Sequence, residues 1–407
     1  MNSRAPDSWN FSTDSASSRA VGRMPNRFQI SRRRFGMALI ASSLIAAGCR
    51  GENRPNVEVI GGADTASVSD IDVPPDESGS PGTIPAAGSG APANSYVPTS
   101  NVAIYFAMCL DLRDMRTALN PPSGAPDWAR ALAIYEQGKN QINPNGTPRS
   151  LASLLNEAAH AVYPNGLAVY GRPNFVDGII RDGLNGTGRA RGLSDDARKQ
   201  IVDRGVLMLF HAKALQEFAA ARGRFETSAA NPIGPLDETF AIVAGSVENG
   251  TRPFALLAIA AEREKDFRLE GKLRDPLETA LVAARSAVQR IDRAAFARAY
   301  TDGTGYLNAI FFLSTLRAAG ALERDTTLTA RQVRLAEGWA FWQSIRAVTA
   351  NASPQVAQDI EAALSRDASA PWTAADTDRI YAGLHEPAVL TALGIPTALQ
   401  IKSPPSP

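Results

Sequence analysis

Histidine and cysteine are scarce in this chain, three and two among 407 residues, so the commonest metal and nucleophile signatures have little to be built from. No C-x-x-C, C-x-x-C-H, H-E-x-x-H, G-x-S-x-G or Walker loop occurs. Haem attachment, zinc hydrolysis, serine-elbow acyl transfer and P-loop chemistry lose their sequence support, and no catalytic residue is assigned. Gly186-x-Gly188 has the wrong continuation for a dinucleotide fingerprint and follows no strand-like run. Strongly charged character is missing too. The formal net charge is +1, and residues 1–49 hold seven arginines and two acids, leaving 35 basic and 39 acidic residues elsewhere. A mildly acidic body gives no electrostatic reason to bind nucleic acid.

What is present begins with an address. Ser31-Arg32-Arg33-Arg34-Phe35 precedes the apolar run 36–47, then Gly48-Cys49. A basic stretch, a short apolar stretch and small residues before a cut site make an export signal. The run is well short of the ~18 residues a spanning helix needs. The pattern resembles the twin-arginine (Tat) consensus, carried by Arg32 and Arg33, joined to a lipobox at Leu44-Ile45-Ala46-Ala47-Gly48-Cys49. That resemblance implies export of a folded protein, cleavage before Cys49, and lipidation of Cys49 that anchors the protein to a membrane face in the periplasm or at the cell exterior. A modified Cys49 leaves Cys109 no partner for an intrachain disulfide. Residues 1–49 are therefore read as signal and 50–100, rich in Pro, Gly and Ser, as a disordered tether. Residues 101–400 are read as the globular domain and 401–407 as a loose tail.

From Asn101 onward apolar residues recur at helical rather than alternating spacing, so the expected fold is all-α, a bundle of about ten helices. Helices are predicted at 127–137, ending at Gly138, and at 194–222, ending at Gly223. Others are predicted at 276–300, 305–322, 329–349, 354–365 and 373–384, most with a capping residue near the start. Asp127, Ala129, Tyr135 and Gly138 match Asp292, Ala294, Tyr300 and Gly303 at a constant offset. The match suggests two related halves, a duplication around 127–140 and 292–308 in which both copies stop at the glycine. Asn145-Gly146-Thr147, Asn185-Gly186-Thr187 and Asn249-Gly250-Thr251 read as turn chemistry.

Ligand candidates are few. Glu157 and His160 lie one turn apart on a predicted helix, a spacing that lets both reach one ion or form an ordinary surface pair. Glu337, in the aromatic segment 335–342, is read either as an arginine partner or as a ligand. Asp111 and Asp114 sit beside the apolar stripe of the first helix, where they can face the same cavity. His211 follows an apolar run and reads as a hydrogen-bonded core histidine.

Leu112-x-x-Met115-x-x-Ala118-Leu119, Ala131-x-Ala133-Ile134-Tyr135-x-x-Gly138-Lys139-Asn140 and Gly146-Thr147-x-Arg149-Ser150-Leu151 resemble the Fe-assimilating, low-iron-inducible periplasmic protein family of green algae and bacteria. Likeness resumes at Ala299–Ile310 and at Ala336-Glu337-Gly338-Trp339. The resemblance implies an exported protein linked to iron uptake, with iron as the metal, and carries over no catalytic residues. Glu337-Gly338-Trp339 is also similar to imelysin-like proteins, but their G-x-H-x-x-E motif is missing. The leading expectation is an exported, lipid-anchored helical protein that binds iron or assists its assimilation at the envelope. The alternative is a non-catalytic scaffold gripping another envelope protein through an exposed patch around Trp339 and Trp342.

Overall fold

Helices in this chain begin where the sequence supplies a side-chain acceptor for the first free backbone N–H groups. In the computed structural model Asp127 accepts from the Arg130 amide at 2.9 Å and Asp292 from the Ala295 amide at 2.9 Å. Ser194 and Thr327 do the same for Ala197 and Ala330. Thr373 and Asp376 form a reciprocal capping box. The structure describes residues 96–155, 163, 165–228 and 230–403. The signal (Arg32, Arg33, Cys49), nearly all of the 50–100 stretch, and Glu157 and His160 lie outside the described residues.

The elements run α1 (Ala103–Phe106), α2 (Met108–Leu119), α3 (Trp128–Gln137), α4 (Gly166–Tyr170), α5 (Phe175–Asn185), α6 (Asp195–Thr227) and α7 (Ile233–Ala244). They continue with α8 (Leu256–Phe267), α9 (Arg274–Gln289), α10 (Arg293–Leu322), α11 (Leu328–Ala352), α12 (Pro354–Ser365), α13 (Ala374–Leu384) and α14 (Pro387–Leu393). Twelve of these span seven residues or more, and two isolated bridges, Ile142–Pro148 and Glu248–Thr251, are the β-type pairings among the described residues. The all-α expectation holds. No described helix is long and apolar enough to cross a membrane.

Three long helices, α6, α10 and α11, pack on one another, and the rest wrap around them. Their shared interior holds Phe210, Phe311, Phe312, Phe341 and Trp342, all fully buried. His211 lies in it, its Nε2–H donating to Asn308 Oδ1 at 3.1 Å while Nδ1 accepts from Tyr163 Oη at 3.2 Å. Asn308 Nδ2 donates to Leu393 O, which fixes the amide orientation and so the tautomer. Burial pushes the imidazole down to about 3, against a smaller opposing effect of the Asn308 bond, so this is the neutral core histidine the sequence suggested.

Several boundaries differ from expectation, and close packing explains most of them. Gly138 does end α3, at φ 71°. Gly303, its counterpart, lies inside α10, and the chain breaks instead at 290–292, before the Asp292 cap. A Cβ on Gly303 would lie 2.7 Å from the Phe218 ring of α6, so glycine serves helix approach here rather than helix ending. The two matching stretches share a cap and then diverge. α6 likewise runs through Gly223 to Thr227. α5 carries two glycines that weaken its helical pattern, and Gly183 leaves the space that Val202 of α6 fills. Trp339 and Trp342 are 7% and 0% exposed, so the exposed aromatic patch of the scaffold reading does not form around them. Their indole N–H groups donate to Glu361. The Asn-Gly-Thr turns behave as read, with Gly146, Gly186 and Gly250 all at positive φ.

Candidate functional site

Asp111 and Asp114, on the inner side of α2, point at the loop that follows α3. Asp111 is fully buried and accepts from the Asn140 amide, Asn140 Nδ2 and Gln141 Nε2, each at 2.8 Å. Asp114 pairs with Lys139 at 2.6 Å and with Arg113 at 2.8 Å. Burial would raise its carboxyl, but Lys139, Arg113 and Asn140 together bring it down to about 2. The two aspartates therefore clamp residues 139–141. Gln141 O in turn accepts from the Arg149 amide at 2.7 Å, and the Arg149 guanidinium lies over the Tyr105 ring at 5.1 Å.

At Tyr105 the loop meets a polar cluster that sequence reading did not single out. Lys213 and Glu217 pair at 2.5 Å on α6 with little exposure. Glu238 of α7 faces Glu217 and the Tyr105 hydroxyl, and burial together with the Glu217 charge pushes it up to about 7. The available signal was the pair Lys213-x-x-x-Glu217, which continues an apolar stretch of α6 on into its buried side. Two carboxyls facing one another share a proton or a cation in preference to holding two full charges.

Glu337 sits elsewhere, in α11, and is 5% exposed. Arg204 Nη2 reaches it at 3.1 Å and Arg317 Nη1 at 3.5 Å, and Arg334 also bonds it. Burial would raise this carboxyl, yet Arg204, Arg334 and Arg317 hold it below the usual range. Arg204 also pairs with Asp203, which accepts from Arg116 Nη2 at 3.1 Å. The chain of ion pairs thus extends from α11 through α6 to α2. It forms one wall of a cleft of about 500 Å3 between α2, α6, α8 and α11, with Leu112, Met115 and Val202 contributing apolar surface. That volume falls in the range of small-molecule sites. Asp203-Arg204, set among the buried residues Ile201, Val202 and Val206, was the sequence signal for this wall.

The five candidate ligands are not brought together. Asp111 is held by amides, Asp114 and Glu337 by cations, and Glu157 and His160 lie outside the described residues. No group of three or more His, Cys, Asp or Glu side chains is placed to hold a metal among the described residues. As described, the donor set at Asp111, Asp114 and Glu337 does not fit a bare iron ion.

Residues 80–264 match the family model of Fea1, described as a low iron-inducible periplasmic protein. The resemblance read from Leu110–Leu154 is borne out, and the matched span takes in the clamp, the Tyr105 cluster and the α2 and α6 walls of the cleft. It stops short of Glu337 and of the likeness at 299–310 and 336–339. No protein with a curated description matches the chain, and no solved structure does.

Proposed function

From the match of residues 80–264 to the low iron-inducible periplasmic family, we propose that this chain is an exported protein of iron assimilation, anchored at the cell envelope through a lipidated Cys49. The family match is the observation that carries the reading. The Arg32-Arg33 and Cys49 patterns support the route and the anchor, and the charged cleft supports small-molecule handling. Iron is cargo in this reading, not a resident cofactor. Asp111 and Asp114 act as positioning groups for the loop at 139–149, and Glu337 fixes the arginines behind the cleft.

The test is deletion of the coding sequence in its own host, followed by growth and cell-associated iron under iron limitation. Reduced iron content, restored by the intact chain, is expected. Unchanged growth and iron content at every iron level would sink the role. A Cys49→Ser variant tests the anchor separately: it should move from the membrane fraction to the soluble envelope fraction, and retention in the membrane would remove the lipid from the account.

A further inference from the structure

We propose that the cleft between α2, α6, α8 and α11 takes iron as a hydrated organic-acid chelate rather than as a bare ion. The inference rests on the iron-assimilation reading and names its substrate class. Three observations carry it.

The first is size. A metal ion with six waters occupies roughly 180 Å3, at about 30 Å3 per water, whereas the cleft offers about 500 Å3. The second is the state of the lining carboxylates. Asp203 is engaged by Arg116 and Arg204, Asp196 by Lys199 at 3.0 Å, and Glu262 by Arg263 at 3.1 Å. Asp203 is the enclosed carboxylate of this lining, and a naked cation would have to displace its two guanidiniums; Asp196 and Glu262, 67% and 60% exposed, offer only solvent-facing oxygens. The third is the mixture of donors and acceptors. Arg116 commits Nε and Nη2 to Asp203, leaving Nη1 for another acceptor. Glu262, in the same lining and 60% exposed, supplies an acceptor.

A polycarboxylate chelate presents both complements. Its outer carboxylate oxygens accept from Arg116 and Lys199, and the waters on its metal donate to Glu262. Leu112, Met115 and Val202 accommodate the ligand's carbon skeleton. A lining with equal numbers of cations and carboxylates also disfavours a strongly charged ligand. It suits a complex in which the metal neutralises most of the acid's charge.

Ferric citrate is the probe, titrated calorimetrically into the purified mature chain, with iron-free citrate and a ferrous salt in separate arms. Saturable binding of ferric citrate is expected. Arg116→Gln should weaken it by about tenfold, the loss of one charge-assisted contact. Lys199→Ala removes a partly buried ammonium whose ion-pair partner Asp196 is exposed, and should weaken it by a few-fold with little change in the thermal midpoint, which keeps the test valid if Arg116→Gln disturbs folding. Iron-free citrate binding as tightly as the chelate would overturn the proposal. So would a ferrous salt binding as tightly, or wild-type chelate affinity in both variants. Failure here is separable from failure of the iron role. If the deletion strain is iron-deficient and the Arg116→Gln strain is not, the inference falls and the role stands; if the deletion strain is normal, the role itself falls.

Discussion

Two buried carboxylate sites in this bundle differ in one respect, the company each keeps. Glu337 is almost completely enclosed, yet three guanidiniums surround it and it stays ionised below the usual range. Glu238 is less enclosed, faces another glutamate, and is pushed up to about 7 by burial and by that neighbour. Burial acts in the same direction at both sites, so the sign of the net shift is set by the count and type of charges within reach. A cage of cations makes a carboxylate a structural fixture. A facing carboxylate makes it a group whose protonation changes near neutral pH.

The largest expected effect comes from breaking the first site. Glu337→Ala removes the centre of the cage and leaves Arg204, Arg317 and Arg334 with only their outer partners Asp203, Asp266 and Asp325. Stability should fall by about 3–5 kcal/mol, the range for removing one partner of a buried ion pair. Urea denaturation at pH 7 reads the loss. The sign with pH follows from the depressed carboxyl. Its contribution is present above the unfolded value of 4.5 and disappears as pH falls through the lower folded value. The wild type and the variant should therefore converge in acid. A loss under 1 kcal/mol at pH 7 would mean that the outer partners suffice for the arginines and that the cage does not hold α6 to α11.

Asp111 sharpens the contrast, because it is buried with neutral amide donors only. Asp111→Ala should cost about 2–3 kcal/mol, less than the cage, since what it strands are uncharged N–H groups. Limited proteolysis should show faster cutting within 139–149, the loop it clamps. Unchanged cleavage in that loop would break the link between the clamp and Arg149.

The sequence was most readable where a structural decision is local. Asp127, Ser194 and Thr373 each start a helix through a bond to an amide three residues on, a relation contained in a few consecutive letters, whereas the helix expected over 276–300 runs through the Asp292 cap. Gly303 was unreadable for the opposite reason: what makes glycine necessary there is Phe218, on another helix. α5 is hard to see in the sequence because Gly178 and Gly183 lower its apparent helicity, and their use lies in contacts with Arg172 and Val202. The site divides the same way. Glu337 as an arginine partner was one of its two readings, since arginines are plentiful around it. That Asp111 serves Asn140 and Gln141, and that Glu217 meets Glu238, depends on which helix faces fold together, and nothing in single-helix spacing carries that information.

The smallest expected effect tests the second site and changes sign relative to the first. Glu238 has an ordinary value of 4.5 and a folded value of about 7. Below 4.5 it is protonated in both states and imposes no penalty. Between 4.5 and 7 the unfolded chain ionises it while the fold keeps the proton, so stability falls as pH rises, and above 7 the penalty is complete. Gln cannot ionise. Glu238→Gln should match the wild type near pH 4.5 and exceed it by about 1–2 kcal/mol at pH 8, discounted for the partial exposure of the pair. His211 acts oppositely in an overlapping window. Its folded value is about 3 against 6.5 unfolded, so it removes stability as pH falls below 6.5. Taking the difference between variant and wild type at each pH cancels that contribution and isolates Glu238. A difference independent of pH would show that the fold does not hold a proton on Glu238, and the Tyr105 cluster would then belong with the caged carboxylates.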